Sequence, residues 1–248
     1  QKAFLMPDRE GLARQALAGA KLHMEAALLD TSSEGVQEDS TEAAAALAEM
    51  GAGAVVTLGG DGTNRVVCKA LGQAPVVPIS TGTNNVFPSM MEGTLAGLAA
   101  GLLCLEKVAP QEVCRRQPVL ILEQGGQVVD QAFIDLVVTD EQFIGARAVW
   151  KRESVKEIFL SRVTPAAIGF SAIGGMLGNQ DLPAGHGLHL VLGPGGAKVL
   201  APIAPGTVEP VEIASWQAMP PDKPLMVSKN QGVIALDGER EVYLEKDA

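Results

Sequence analysis

The chain has 248 residues, 47% of them hydrophobic, with 29 acidic against 19 basic side chains and a formal net charge of -10. This length and apolar content suit one large or two ordinary domains and exclude a disordered chain, while the acidity opposes binding to nucleic acid or to an anionic membrane surface. There is no apolar run of about 18 residues to span a bilayer, and no basic stretch followed by an apolar one to form a secretory signal.

The opening Lys2-Ala3-Phe4-Leu5-Met6-Pro7 reads as the tail of a strand. A surface helix is expected over Arg9–Ala20 and a short strand over Met24–Leu29, followed by a polar, turn-like segment from Asp30 to Asp39. Thr41–Met50 carries Ala and Leu at helical spacing, with Ser40 or Thr41 as N-cap and Gly51 at the C′ position. Next comes an apolar run, Ala54–Leu58, which we read as a buried strand, and it empties into Gly59-Gly60-Asp61-Gly62-Thr63-Asn64. Three glycines in four positions allow positive φ and leave no Cβ in the way. Successive N–H groups can then converge on an anion, with Asp61 and Thr63 beside them. A helix-like run, Arg65–Leu71, completes a strand-loop-helix unit of the kind that places ligands at the carboxyl ends of parallel strands. A ligand-free βα turn would also satisfy the local pattern.

A second strand, Pro75–Ile79, runs into Ser80-Thr81-Gly82-Thr83-Asn84-Asn85, again a loop of hydroxyls and amides able to hydrogen-bond phosphate, ribose or a base edge. Taken alone, this loop could equally be the N-cap of a helix over Val86–Met91. Two such loops on neighbouring strands would face one crevice. Thr94–Leu105 reads as a helix whose small residues pack closely on a sheet, with Cys104 in the core. Cys68, Cys104 and Cys114 are odd in number and show no CxxC spacing, so no disulfide framework or zinc site is expected, and a reducing, cytoplasmic compartment fits.

Beyond Val108-Ala109-Pro110 the pattern turns β-rich. Val119–Glu123 and Val128–Val138 flank a Gly125-Gly126 hairpin turn, and short strands are expected at Leu188–Leu192, Val208–Ile213, Leu225–Val227, Val233–Leu236 and Val242–Leu244. Gly145–Val163 has a mixed, helix-compatible pattern. Gly193–Lys198 is glycine-rich but departs from GxxxxGK[ST] and reads as a turn, and His186 with His189 lacks a third metal ligand. The expected fold class is therefore α/β plus β. An α/β nucleotide-binding domain over 1–109, Rossmann-like with a parallel sheet, precedes a β-sandwich domain over 110–248.

These residues resemble a known family. Gly59-Gly60-Asp61-Gly62-Thr63 after an apolar strand is similar to the GGDGT signature of NAD kinases, bacterial diacylglycerol kinases and sphingosine kinases. Leu236-Asp237-Gly238-Glu239 resembles the DGE element on the β-rich domain of the same superfamily, and Thr81–Pro88 is similar to the GTxND element of its lipid-kinase branch. With Gly62-Thr63-Asn64-Arg65, the wording is closest to the acetoin-catabolism X proteins, an NAD-kinase-like group.

The resemblance implies an ATP-dependent phosphotransferase acting on a nucleotide-like or small-molecule hydroxyl in a cleft between two domains. Its first strand and helix would lie before Gln1. ATP is the implied donor, Mg²⁺ the implied metal and NAD a candidate acceptor. Gly59, Gly60, Gly62, Thr63 and Asn64 would hold donor phosphates, and Thr83, Asn84 and Asn85 the nucleotide. Asp61 would orient or deprotonate the acceptor and touch Mg²⁺, and Asp237, Gly238 and Glu239 would complete the binding site. The Asn-Glu element by which NAD kinases hold their substrate is missing, Asn84 being followed by Asn85, which weighs against NAD as acceptor. The implied partners are nucleotide and small molecule in a homo-oligomer, with neither nucleic acid nor membrane. Two other readings remain: a non-catalytic nucleotide-binding sensor or accessory protein of acetoin catabolism, and a lipid kinase.

Overall fold

Local hydrogen-bonding chemistry decides where the first elements begin and end. The computed structural model describes residues 2–140, 154–178, 182–228, 232–238 and 240–244. Strand β1 (Lys2–Leu5) pairs in parallel with β2 (Glu25–Leu28), and helix α1 (Leu12–Gly19) lies between them in sequence. The Asp8 carboxylate accepts from the amides of Leu12 and Ala13 at 2.8 and 2.7 Å, two donors that the first turn of a helix leaves unpaired. Those amides, Ala13 first, hold its carboxyl below the ordinary range.

Helix α2 (Gln37–Glu49) starts at Gln37 rather than at the expected Thr41. The cause is Asp39, whose carboxylate accepts from Gly35 and Val36 amides at 2.7 and 3.2 Å and from the Ser32 hydroxyl at 2.9 Å, which organises the whole turn ahead of the helix. At the other end Gly51 sits at φ 68, with the amides of Gly51 and Ala52 returning to the carbonyls of Ala48 and Leu47. This is the left-handed stop expected of a C′ glycine.

Strand β3 (Val55–Gly59) leads into α3 (Asp61–Leu71) and pairs in parallel with β4 (Val76–Ser80), with Val55 opposite Val76 and Gly59 opposite Ser80. Ala44, Val55, Val67 and Leu71 form a small core between α2, α3 and β3. The expectation of a fully buried β3 is corrected: Val55 and Thr57 face this core, but Val56 and Leu58, on the opposite face, are 40% and 69% exposed.

Residues 86–91 form no helix. Instead Ser89 bridges back to β4, the Ser80 amide donating to the Ser89 carbonyl at 2.9 Å. Helix α4 (Gly93–Cys104) is capped by the Glu92 carboxylate, which accepts from Thr94 and Leu95 amides. It buries only Ala96, leaving Leu95 and Leu98 exposed, and Cys104 is exposed rather than part of the core. The helix adjoins β3 and β4 as expected, but of its small residues Ala96 alone is buried. A short helix, α5 (Pro110–Val113), follows.

The β-rich part is built on one six-stranded antiparallel sheet. Strand β5 (Leu120–Gln124) and β6 (Gln127–Ala132) form a hairpin whose two turn residues, Gly125 and Gly126, sit at φ 59 and 77, as a two-residue hairpin turn of that hand requires. The run expected as one strand over Val128–Val138 breaks at Phe133-Ile134, and β7 (Asp135–Thr139) enters the larger sheet. Residues Val155–Leu160 are strand β8, not helix, and the remainder of that expected helix up to residue 153 lies outside the described residues. Helix α6 (Phe170–Met176) follows, then β9 (Gly187–Ala204), β10 (Thr207–Met219), β11 (Gly232–Leu236) and β12 (Arg240–Leu244), in the spatial order β10-β9-β8-β7-β11-β12. Leu225 and Val227 pack on the core, but residues 225–227 form no strand.

Gly193–Lys198 does not end its strand as a turn would. It bulges out of β9, so that Leu192 opposes Ile213 while Lys198 opposes Glu212. A Cβ on Gly196 would press into the carbonyl oxygens of Ile213 and Ala214, which is why glycine is needed there.

Side chains alternate across the sheet. Leu136, Val138, Phe159 and Ile234 face the β5–β6 hairpin through Leu122, while Val137, Ile158, Leu160, Leu188 and Leu190 meet Ile173 of α6 on the other side. By its internal contacts the chain divides into two compact units, Gln1–Thr81 with Pro88–Cys114, and Gly82–Phe87 with Arg115–Ala248. Among the described residues no helix is long and apolar enough to cross a membrane.

Candidate functional site

The Gly59–Asn64 turn is held by its own side chains. Asn64 is fully buried: its Oδ1 accepts from the Thr57 hydroxyl at 2.6 Å and its Nδ2 donates to the Gly60 carbonyl at 2.8 Å. Asn64 thus ties the end of β3 to the first turn of α3, and its amide is spent inside the protein.

The glycines act differently from the expectation. None of Gly59, Gly60 and Gly62 has positive φ; Gly60 is extended at φ -93 and ψ -168. Their use is close approach. A Cβ on Gly59 would stand 2.7 Å from Thr63 Cβ, so only glycine lets the strand end meet the helix there. No side chain caps α3 behind Gly60, whose carbonyl accepts from the Asn64 amide at 3.1 Å as the first bond of the helix. Asp61 opens the helix, half-buried, with Thr63 half-buried two residues on. Because Gly59 stands opposite Ser80, this turn and the start of the Thr81–Pro88 loop leave the same edge of the β3–β4 pair.

The tip of that loop, Gly82–Phe87, belongs to the second unit. Thr83 and Asn84 are exposed, with the Thr83 hydroxyl donating to Asn84 Oδ1 at 3.3 Å, and Asn85 is half-buried. Val86 and Phe87 are gripped. Arg162 Nη1 donates to the Val86 carbonyl at 3.3 Å, and its guanidinium lies 5.1 Å over the Phe87 ring, a cation–π arrangement. Phe87 meets Phe133 edge-on at 5.6 Å between ring centroids.

Asp237 and Gly238 form the turn between β11 and β12, at φ 51 and 68. The Asp237 carboxylate turns inward, accepting from the amides of Phe133, Ile134 and Asp135 at 2.7 to 3.2 Å. Glu239 lies outside the described residues. Gly59–Asn64 and Ser80-Thr81 thus leave the same end of the β3–β4 pair in one unit, while Thr83–Asn85, Asp237 and Gly238 all belong to the other. Arg162 and Phe133, which touch the Phe87 end of the loop, are the neighbours that sequence reasoning missed. Asp-Gly between two apolar runs was a legible hairpin signal, but nothing local marked Phe133 as its partner.

Among the described residues no group of three or more His, Cys, Asp or Glu is arranged to hold a metal ion. Magnesium bound with a nucleotide takes most of its ligands from phosphates and water and needs one or two protein carboxylates, so Asp61 beside the α3 N-terminus suits that chemistry. His189, weighed above as half of a histidine pair, is engaged otherwise. Its Nε2 lies 3.0 Å from Glu157 Oε2 and its Nδ1 3.2 Å from Gln217 Nε2, and its ring stacks on Phe159.

Residues 4–104 match the family model of the ATP-NAD kinase N-terminal domain, and residues 118–248 match that of the acetoin catabolism protein X C-terminal domain. Over its full length the chain is 37% identical to acetoin catabolism protein X of Cupriavidus necator. That alignment spans 262 residues and covers 100% of this chain and 73% of the relative.

Proposed function

The chain belongs to the acetoin catabolism protein X family and opens with an ATP-NAD kinase N-terminal domain, and on that premise we propose that it is an ATP-dependent phosphotransferase acting on the hydroxyl of a nucleotide-like or small-molecule acceptor. The observation that carries this reading is the start of α3: uncapped behind Gly60, with Asp61 and Thr63 in its first turn, directly after β3. Backbone N–H groups and the helix dipole favour an anion at such a point, as donor phosphates would require.

In the proposed reaction the N–H groups of Asp61, Gly62 and Thr63 and the Thr63 hydroxyl hold the donor phosphates. The Thr83–Asn85 amides and hydroxyl hold the nucleotide. The acceptor oxygen bonds to the γ-phosphorus as the bond to the β–γ bridging oxygen breaks, and the hydroxyl proton passes to the Asp61 carboxylate, leaving ADP and a phosphorylated acceptor. Asp61 and the donor phosphates would hold Mg²⁺, which when bound would supply the charge neutralisation that an acidic protein needs. The lack of an Asn-Glu pair argues for an acceptor other than NAD. A cytoplasmic location, where ATP is abundant, goes with this reading.

The test is ATP consumption with a panel of hydroxyl compounds including NAD. Asp61→Asn should lower kcat by roughly 100-fold or more, and unchanged turnover with an intact fold would exclude Asp61 as the base. One observation favours the second reading, a nucleotide-binding accessory protein without turnover: the Asp237 carboxylate, expected at the site, accepts from backbone amides. Calorimetry with ATP, ADP and NAD would then give binding while the consumption assay stays silent.

A further inference from the structure

The break between β6 and β7 exposes a structural need. Phe133 and Ile134 are 7% and 2% exposed, so their peptide groups must find partners within the protein. Asp237 provides for the donors. Its Oδ1 accepts from Phe133, Ile134 and Asp135 amides at 3.0, 2.7 and 3.2 Å, and its Oδ2 from Phe133 at 2.9 Å. Ser161 provides for the acceptors. Its hydroxyl donates to the Phe133 carbonyl and its amide to the Ile134 carbonyl at 2.9 Å. The next residue, Arg162, reaches Val86 and Phe87, and Gln117 Oε1 accepts from its Nη2 at 2.6 Å. Phe133 itself meets Phe87 edge-on. Two routes therefore run from the segment that Asp237 holds to the shoulder of the Thr83–Asn85 loop, one through the Phe133 ring and one through Ser161 and Arg162.

We propose that Asp237 is a positioning residue, which sets the shape of the Gly82–Phe87 loop through Phe133, Phe87 and Arg162 and acts on nucleotide only by way of that loop. The nucleotide part rests on the function proposed above; the positioning part does not. The chemistry suits aspartate. A carboxylate makes charge-assisted bonds to several amides at once, and aspartate tolerates the left-handed φ of 51 better than most side chains. Asparagine keeps that tolerance and one acceptor oxygen, whereas alanine loses both.

The experiment uses the full chain with 4-fluorophenylalanine at position 87, read by fluorine NMR, together with calorimetry using ATP and ADP. The wild-type resonance should lie away from the position of a solvated ring. Asp237→Ala should move it most of the way there and weaken ATP about tenfold, with Asp237→Asn falling between. Arg162→Met should move the same resonance. In the Asp237→Ala/Arg162→Met double variant the affinity loss should be smaller than the product of the single losses, because both act on one element.

An unmoved resonance in Asp237→Ala, with or without weaker ATP binding, overturns the proposal, and weaker binding in that case would mark Asp237 as a direct ligand. A moved resonance with unchanged ATP affinity overturns the role in binding. Should Asp237→Ala fail to fold by circular dichroism, Asp237→Asn decides alone: an unmoved resonance refutes the positioning role and a moved one supports it. If the wild-type chain binds neither ATP nor ADP, the proposed function falls, and the resonance still decides the positioning claim.

Discussion

Removing the Asn64 side chain should loosen the turn that carries Asp61, by an amount the hydrogen bonds allow to be estimated. In Asn64→Ala the Thr57 hydroxyl, 6% exposed, loses its acceptor, and the Gly60 carbonyl loses the Nδ2 donor at 2.8 Å. The carbonyl keeps the Asn64 amide at 3.1 Å, so only the hydroxyl is left without its partner. An orphaned buried hydroxyl costs about 1–3 kcal/mol and a lost hydrogen bond about 1 kcal/mol, so the variant should lose about 3 kcal/mol, which is roughly a 150-fold change in the opening equilibrium. Thr57→Val alone should cost about 1–2 kcal/mol through the unsatisfied Asn64 oxygen, and the double variant less than Asn64→Ala alone, because no hydroxyl is then left orphaned.

The readout must report on the correct unit. Trp150, Trp216 and Tyr243 all lie outside residues 1–81 and 88–114, so indole emission follows the other unit. Native-state hydrogen exchange of peptides covering β3 and α3 is the suitable assay. If the two single effects simply add in the double variant, within about 0.5 kcal/mol, Asn64 is not the tie between strand and helix.

Other outcomes follow from the same geometry. Gly59→Ala would bring a methyl group to 2.7 Å from Thr63 Cβ and Oγ1, and should cost about 1–3 kcal/mol by exchange of the same peptides and weaken ATP binding; no change in either would refute the close-approach role of Gly59. Gly196→Ala should destabilise the β9–β10 hairpin, seen as an earlier urea transition of Trp216 emission, since backbone carbonyls cannot step aside as side chains do. Glu157 offers a pH test. Burial alone would raise its carboxyl, but the hydrogen bonds from His189 and Ser228 outweigh burial and hold it below the ordinary 4.5. Its contribution to stability is therefore fully present above that value and lost as pH falls through the folded-state value below it. The wild-type thermal midpoint should drop more steeply from about pH 5 to about pH 3 than that of Glu157→Gln, and parallel curves would refute the assignment.

Much of the fold was legible. Gly51 ended α2 and Gly125-Gly126 turned the first hairpin, because in both cases the deciding property, the ease of left-handed φ, belongs to the residue itself. The strand-loop-helix order around Asp61 was legible for the same reason, since periodicity and glycine spacing are local. Errors came where local and distant forces compete. Val155–Leu160 lies in a sheet because β7 and β9 pair with it on either side, a fact that no window around those residues contains. Gly193–Lys198 looked like a turn because its composition is that of one; the β10 partner strand made it a bulge.

The sequence by itself determined the family, the order of an α/β part before an antiparallel β part, and the candidate residues from Gly59 to Thr63 and from Thr83 to Asn85. These rest on the kinds of residue and their spacing. Only the tertiary structure decided what several of those residues do. It turned Asn64 into an internal tie and Gly59 into a point of close approach. It also turned the Asp237 carboxylate away from solvent toward three amides about one hundred residues earlier in the chain. The physical reason is that a polar side chain takes its role from the donors and acceptors that folding brings within about 3 Å, and those partners come from anywhere in the chain.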